Sequence, residues 1–280
     1  MVKEPRRRAG GVVQALGLGL LLWLAGCGPA SQATPSGAGP LERILEAREL
    51  RVGTSADLPP LSMRDRNGEI IGLEIDLVRA LGAAMNLELR FVEKPFADLL
   101  PALERGELDL VVAGLTITPE RNARVAFAGP YFVSGASLVS ASRELVEVEA
   151  PAELDDPQRS FAALEASTNV DFIRRYMPSA RLVTVKDNES GVKMVLDGSV
   201  DALVADLQVC TLAQWRHPEA GLHARVYPFT TEPLGIALPP NAPLLLNLVS
   251  NYLNTLENTG ELAQLKARWL SNGDWVAELP

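Results

Sequence analysis

The sequence predicts an α/β chain built on two sheets of similar make, and three observations carry that expectation. Short apolar strand-like runs alternate with helices of about ten residues, the signature of βα units and a mostly parallel sheet. The alternation begins again in the second half of the chain. A local echo links the halves: Ala102 to Gly114 (ALERGELDLVVAG) against Met194 to Asp206 (MVLDGSVDALVAD). In both, a helix ends at a glycine, turns, and enters a strand behind an aspartate. Such units are common, so the echo is positional, setting Gly114 and Asp206 at corresponding strand ends.

In order, Leu41 to Arg48 carries apolar residues at 41, 44 and 45 and reads as a short amphipathic helix, and Leu50 to Thr54 as a strand. Arg64 to Gly68 is a hairpin-type turn before Glu69, Ile70 and Ile71. Glu74 to Met85 has helical spacing, Leu87 to Val92 is a strand, Ala97 to Arg105 a helix and Asp109 to Ala113 a short apolar strand. The second half gives strands at 160–164, 182–185 and 201–205 and helices at 170–176, 189–196 and 207–215. Leu234 to Leu238 and the helices 241–257 and 261–270 are too little for a domain of their own. They are expected to complete the first sheet, so the chain leaves lobe 1 near 131–135 and returns near 230–234.

The 280 residues are 47% hydrophobic and 22% charged, which suits a folded chain with one core or two. A net charge of −9 without a basic stripe excludes binding to nucleic-acid phosphates. Cys27, Cys210, His217 and His223 do not make a zinc set, and no HExxH, CxxC, GxSxG, Walker loop or GxGxxG after a strand occurs. Neither a metal nor a cofactor is expected.

Lys3, Arg6, Arg7 and Arg8 precede an apolar run from Gly10 to Leu24, the layout of a secretory signal. The run ends in Leu24-Ala25-Gly26-Cys27, which resembles the lipobox of bacterial lipoproteins, with Cys27 receiving the lipid. Residues 27–40, rich in Gly, Pro, Ala and Ser, read as a flexible tether. Residues 1–26 hold four cations (Lys3, Arg6, Arg7, Arg8) and one anion (Glu4), so their loss takes the net charge from −9 to −12. Cys210 then has no partner and reads as a small buried apolar residue.

The sharpest local pattern is Gly114-Leu115-Thr116-Ile117-Thr118-Pro119-Glu120-Arg121, after a buried strand. Thr118 suits an N-cap and Pro119 the first helical position. The helix start, the Thr116 hydroxyl and the Arg121 guanidinium together suit a carboxylate. A capped surface helix whose arginine pairs with a neighbouring Glu is the alternative. Asp206 ends an apolar strand where ligands sit in open α/β sheets, so it could hold an ammonium or cap the next helix. Phe96, opening a helix, could cover a ligand or pack in the core.

Together these residues resemble the bacterial solute-binding proteins of family 3, which feed polar amino acids to ABC importers. Gly72-Leu73-Glu74-Ile75-Asp76-Leu77-Val78-Arg79-Ala80-Leu81-Gly82-Ala83-Ala84-Met85 looks like that family's signature. The similarity continues through 99–103, 114–121, 127–132, 201–206 and 266–270. The resemblance implies a two-lobe periplasmic-binding-protein-like fold, each lobe a mixed, mostly parallel sheet flanked by helices, joined by a two-strand hinge. Lobe 1 would be 41–130 plus 235–280, lobe 2 136–229, and the hinge 131–135 and 230–234.

The resemblance further implies that Arg121, Thr116 and the Gly114 backbone bind an α-carboxylate and Asp206 the α-ammonium. Phe96 would pack over the ligand side chain, and Ser167 and Thr168 would add donors from lobe 2. Where the family usually has an aromatic residue this chain has Leu58, and Ser55 stands where an acid is frequent. Ala166-Ser167 replaces the usual Gly-Thr step. Ser55, with Leu164 and Ala205 nearby, favours a neutral or apolar amino acid over a cationic one, although Asp57 could substitute for the missing acid. The expected protein is thus a monomeric extracytoplasmic lipoprotein that delivers an amino acid to an ABC permease without catalysis. Periplasmic cyclohexadienyl or arogenate dehydratases look similar, and on that alternative Glu165 or Glu189 would be the cleft acid. A sensor input module is a third possibility.

Overall fold

A computed structural model of the chain describes residues 39–271 and 274–279. The signal segment 1–26, Cys27 and nearly all of the tether lie outside the described residues. Pro40, assigned to the tether from sequence, instead opens the first helix.

The chain begins with α1 (Pro40–Ala47), β1 (Glu49–Thr54) and a small antiparallel sheet of β2 (Asp57–Leu58), β3 (Ser62–Arg64) and β4 (Ile70–Ile71). Asp65 ties the β3 to β4 turn, its Oδ1 accepting from the N–H groups of Asn67 and Glu69 at 2.8 Å each. There follow α2 (Leu73–Met85), β5 (Glu88–Glu93), α3 (Phe96–Glu104), β6 (Leu110–Val111), the one-turn α4 (Pro119–Asn122) and β7 (Ala126–Ser134). The second lobe holds β8 (Ala136–Ser140), α5 (Arg143–Glu147), β9 (Ser160–Leu164), α6 (Thr168–Tyr176), β10 (Arg181–Val185), α7 (Asn188–Leu196), β11 (Ala202–Asp206), α8 (Leu207–Arg216) and β12 (His223–Ala224). The chain then returns as β13 (Glu232–Leu238), α9 (Pro243–Thr259) and α10 (Glu261–Leu270).

The first sheet has the order β5-β1-β6-β13-β7 and the second β10-β9-β11-β8-β12. In each, three strands are parallel and the strand beside the third is antiparallel. Both sheets are apolar on both faces, as strands covered by crossover helices must be. In the first, Val52 and Leu110 face one cluster while Val111 and Ala113 face another. In the second, Leu203 and Val204 divide in the same way. α10 is pinned on α2, where Trp269 Nε1 donates to Asp76 Oδ2 at 2.9 Å.

Two differences from the sequence expectation stand out. The apolar pattern marks neither β7 nor β8 as a strand; in β7, Gly129-Pro130 interrupts the run and Pro removes a ladder donor. β13 accommodates the interruption with a register shift between Leu234 and Ile236, opposite that pair. The helix expected after Thr118 forms but ends after one turn, at Asn122. Its N-cap is the expected one, with Thr118 Oγ1 accepting from Arg121 N at 3.2 Å.

The chain crosses between sheets at Gly135, with β7 paired to β13 through Ser134 and β8 starting at Ala136. It crosses back beside the same point, where Phe229 N donates to Ala136 O at 2.7 Å. A Cβ on Gly135 would lie 2.1 Å from the Thr230 carbonyl oxygen, so only glycine lets the two crossing segments touch.

Candidate functional site

The cavity at the junction of the two lobes draws its walls from both. Lobe 1 supplies Ser55, Asp57 and Leu58 after β1, Phe96 at the start of α3, and Ala113, Gly114, Thr116 and Arg121 after β6. Lobe 2 supplies Leu164, the first turn of α6 (Ser167, Thr168, Asn169), Asn188, Asp206 and Val209. The structure thus brings together Ser55, Leu58, Phe96, Gly114, Thr116, Arg121, Ser167, Thr168 and Asp206, the nine residues expected to contact a ligand. The lobes are closed on each other: the centre of a water-sized sphere can move through about 20 Å³, room for little more than one water.

Arg121 reaches across the cleft. Nη1 donates to Thr116 O at 3.0 Å and Nη2 to Ala166 O of lobe 2 at 3.1 Å, and the guanidinium lies 5.6 Å from the Phe96 ring centroid. These contacts set aside the capped surface helix with a Glu-paired arginine. Burial lowers the Arg121 pKa from its ordinary value, while the charges of Glu232 and Asp206 act to raise it. Phe96 is 8% exposed and belongs to the lobe 1 core, and it also lines the cavity.

Asp206 precedes α8 in the N-cap position, yet its side chain makes no cap hydrogen bond. Instead Asn169 Nδ2 donates to Asp206 Oδ1 at 3.1 Å. Burial, then the nearby Glu232 charge, push the Asp206 carboxyl up to about 7, against the Asn169 hydrogen bond and the Arg121 charge. A carboxylate so raised gains by meeting a cation.

The hydrogen bonds around Gly114 and Thr116 sort the donors. The Gly114 N–H donates to Glu74 Oε1 at 2.7 Å, and the same oxygen accepts from Tyr131 Oη. Gly114 therefore has no N–H for a ligand carboxylate, contrary to the expectation from resemblance. Thr116 bridges to Leu234, with Ile117 N on Pro233 O at 2.8 Å and Gly235 N on Leu115 O at 2.9 Å. In that antiparallel pattern the N–H and C=O of Thr116 itself point away from β13, toward Arg121. Ser167 Oγ donates to Leu164 O at 2.6 Å, so its proton is not a donor to the cleft either. At the start of α6, the N–H groups of Thr168 and Asn169 lack intrahelical acceptors, and both residues line the cleft. Arg121, the Thr116 N–H and the first turn of α6 are thus the groups suited to an anion.

Sequence reasoning missed Glu232, Asn169 and Asn188. Glu232 is 6% exposed, and its Oε2 accepts from Thr116 Oγ1 and Thr168 Oγ1 at 2.7 Å each. Its signal was a lone acid entering the buried run Leu234 to Leu238. Ser55 Oγ and Asn169 Oδ1 are buried without a hydrogen-bond partner. Glu165 and Glu189, the acids named for a dehydratase, do not line this cavity. Glu165 follows the end of β9 in a turn and is half-buried. Glu189 stands at the exposed start of α7. Ala205 is buried behind the cavity rather than in its wall. Among the described residues no cluster of three His, Cys, Asp or Glu suits a metal ion, and no helix is long and apolar enough to cross a membrane.

Known proteins resemble this chain along most of its length. The chain is 26% identical to the cyclohexadienyl dehydratase of Pseudomonas aeruginosa over 82% of its own length and 85% of that protein. It is 27% identical to the ABC transporter arginine-binding protein 1 of Escherichia coli, over 80% of this chain and 91% of that one. Among solved structures, the ancestral amino acid-binding protein AncCDT-1, a precursor of cyclohexadienyl dehydratase, superposes with a TM-score of 0.75 at 31% identity. That match covers 83% of this chain and 99% of the other. The family profile for bacterial extracellular solute-binding proteins, family 3, matches residues 50–272. With that span, the signature in α2 and a cleft lined from both lobes, the chain belongs to the bacterial extracellular solute-binding proteins, family 3.

Proposed function

We propose that the protein is a receptor for a free amino acid, held as a zwitterion between Arg121 of lobe 1 and Asp206 of lobe 2, and that it hands the ligand to an ABC importer. The observation that carries this reading is the opposition of the two charges across one cavity, each with separate support. The arginine and N–H groups take the carboxylate, and Asp206 takes the ammonium. Entry requires the lobes to part, and the crossing segments at Gly135 and Thr230 are the natural hinge. Leu58, Phe96, Leu164 and Val209 favour a neutral or apolar side chain. A second reading, a cationic side chain, is favoured by Asp57, a carboxylate in the same wall. Attachment to a membrane through a lipid on Cys27, and action as a monomer, complete the proposal.

A thermal-shift screen of the full chain against the twenty common L-amino acids tests it. A ligand at a hundred times its Kd stabilises by about 2.7 kcal/mol. A shift with neutral residues supports the first side-chain reading, and one confined to arginine, lysine or histidine the second. No shift with any of them contradicts the receptor. Conversion of prephenate or arogenate by the purified protein would replace it with the dehydratase reading, which the relative in Pseudomonas aeruginosa makes worth testing.

A further inference from the structure

The loop carrying Thr116, the first turn of α6 and both crossing segments meet on one side chain. Glu232 Oε2 accepts from Thr116 of lobe 1 and Thr168 of lobe 2. Its Oε1 accepts from Thr230 Oγ1 at 2.8 Å, and that hydroxyl oxygen accepts in turn from the Ala136 N–H at 2.8 Å. One buried carboxylate therefore ties a cleft residue of each lobe to both segments that join the lobes.

A threonine hydroxyl has one proton to give and two lone pairs. With both protons on Glu232, Thr116 Oγ1 and Thr168 Oγ1 can only accept from a group in the cleft. They then suit an ammonium, and the carboxylate is left to Arg121 and backbone N–H groups. That reverses the part expected of the Thr116 hydroxyl from sequence. Both threonines also have to lie within reach of a single oxygen, which holds only when the lobes are together.

We propose that Glu232 is a positioning residue that makes the two threonine hydroxyls acceptors and clasps the lobes in their closed arrangement. The first half rests on the amino-acid receptor reading; the second rests on the fold alone.

Two variants of the full chain test this. Glu232→Ala removes the clasp, whereas Glu232→Gln keeps an acceptor oxygen for both threonines without the charge. Small-angle scattering of the ligand-free protein reads the clasp: the alanine variant is expected to show a larger radius of gyration than the parent, and the glutamine variant to stay close to it. Calorimetric titration reads the polarity, with the tightest of the twenty common L-amino acids and its analogue lacking the α-ammonium. Glu232→Ala is expected to bind the amino acid about tenfold more weakly and to discriminate less against the analogue. Should the alanine variant fail to fold, Thr168→Val, which keeps the side-chain shape, is expected to show the same opening. An unchanged radius together with an unchanged affinity ratio overturns the proposal. If the parent binds no amino acid, the receptor reading fails by itself, and the scattering comparison still decides the clasp.

Discussion

Strands β5, β1 and β6 of lobe 1 lie side by side in the order that β10, β9 and β11 repeat in lobe 2. An aspartate just ahead of β6 in one lobe and of β11 in the other bonds the middle strand, β1 or β9. Asp109 Oδ2 accepts from Arg51 N at 2.8 Å, and Asp201 Oδ2 from Ser160 N at 2.7 Å. The two aspartate N–H groups answer with bonds of 2.9 Å to the carbonyls of the same residues. Beyond the other ends of β6 and β11 the lobes part company. Lobe 1 has Gly114, whose N–H is held by the buried Glu74 that Tyr131 also bonds, and then Arg121; lobe 2 has Asp206 itself. The scaffold is duplicated and this placement of charge is not: beyond β6 lobe 1 carries the arginine, and at the end of β11 lobe 2 carries the aspartate.

The largest expected effect breaks that division from either side. Arg121→Ala and Asp206→Ala are each predicted to weaken amino-acid binding about a hundredfold or more, as removal of one member of a desolvated charge pair does. Calorimetry checks this, with circular dichroism to confirm folding. A loss confined to one of the two variants would assign the ligand to one lobe.

The aspartates at the strand entries sharpen the comparison. Asp109 also accepts from Arg43 and Arg51 side chains at 2.5 and 2.8 Å, and against the upward push of burial these bonds hold its carboxyl below its ordinary value. Asp201 has the Ser160 hydroxyl instead. Asp109→Ala is therefore expected to cost about 2 kcal/mol, discounted because both arginines are partly exposed, and Asp201→Ala about 1 kcal/mol, read from urea midpoints.

Asp206 makes binding depend on pH. An ammonium needs the ionised carboxylate, so affinity should fall about tenfold per pH unit below about 7, and Asp206→Asn should lose that slope. For the ligand-free protein the sign is opposite. A carboxyl raised above its unfolded value contributes stability at low pH, and this is lost as pH rises from near 4 through about 7. Unfolding at pH 5 and pH 8, parent against Asp206→Asn, measures it. The smallest effect lies at Ala166, whose φ of +59° is a left-handed conformation that glycine adopts freely. Ala166→Gly is expected to stabilise the chain by about 0.5 kcal/mol, relief of the left-handed cost less glycine's entropy, read from the thermal midpoint.

The parallel strands and their helices were legible because apolar period and glycine stops are local properties, as at Ser160 to Leu164 and Gly198. The echo set Gly114 and Asp206 at corresponding strand ends, and the structure has both lining the cavity. β7 stayed hidden because Gly129-Pro130 breaks a strand in which β13, over a hundred residues away, supplies the pairing. In the site, the residue types were legible but the direction of each hydrogen bond was not. Nothing in the sequence says that Glu74 takes the Gly114 N–H or that Ser167 gives its proton to Leu164 O. Glu232 was out of reach because its meaning comes only from Thr116 and Thr168, 116 and 64 positions away.

The measurement that bears most directly on the division of charge is calorimetric titration of the full chain with its tightest amino acid and two analogues, one without the α-carboxylate and one without the α-ammonium. The account predicts that both analogues bind at least about a hundredfold more weakly, because each leaves one buried charge unpaired. An analogue that binds as tightly as the amino acid would show that Arg121 and Asp206 do not clamp a zwitterion between the lobes.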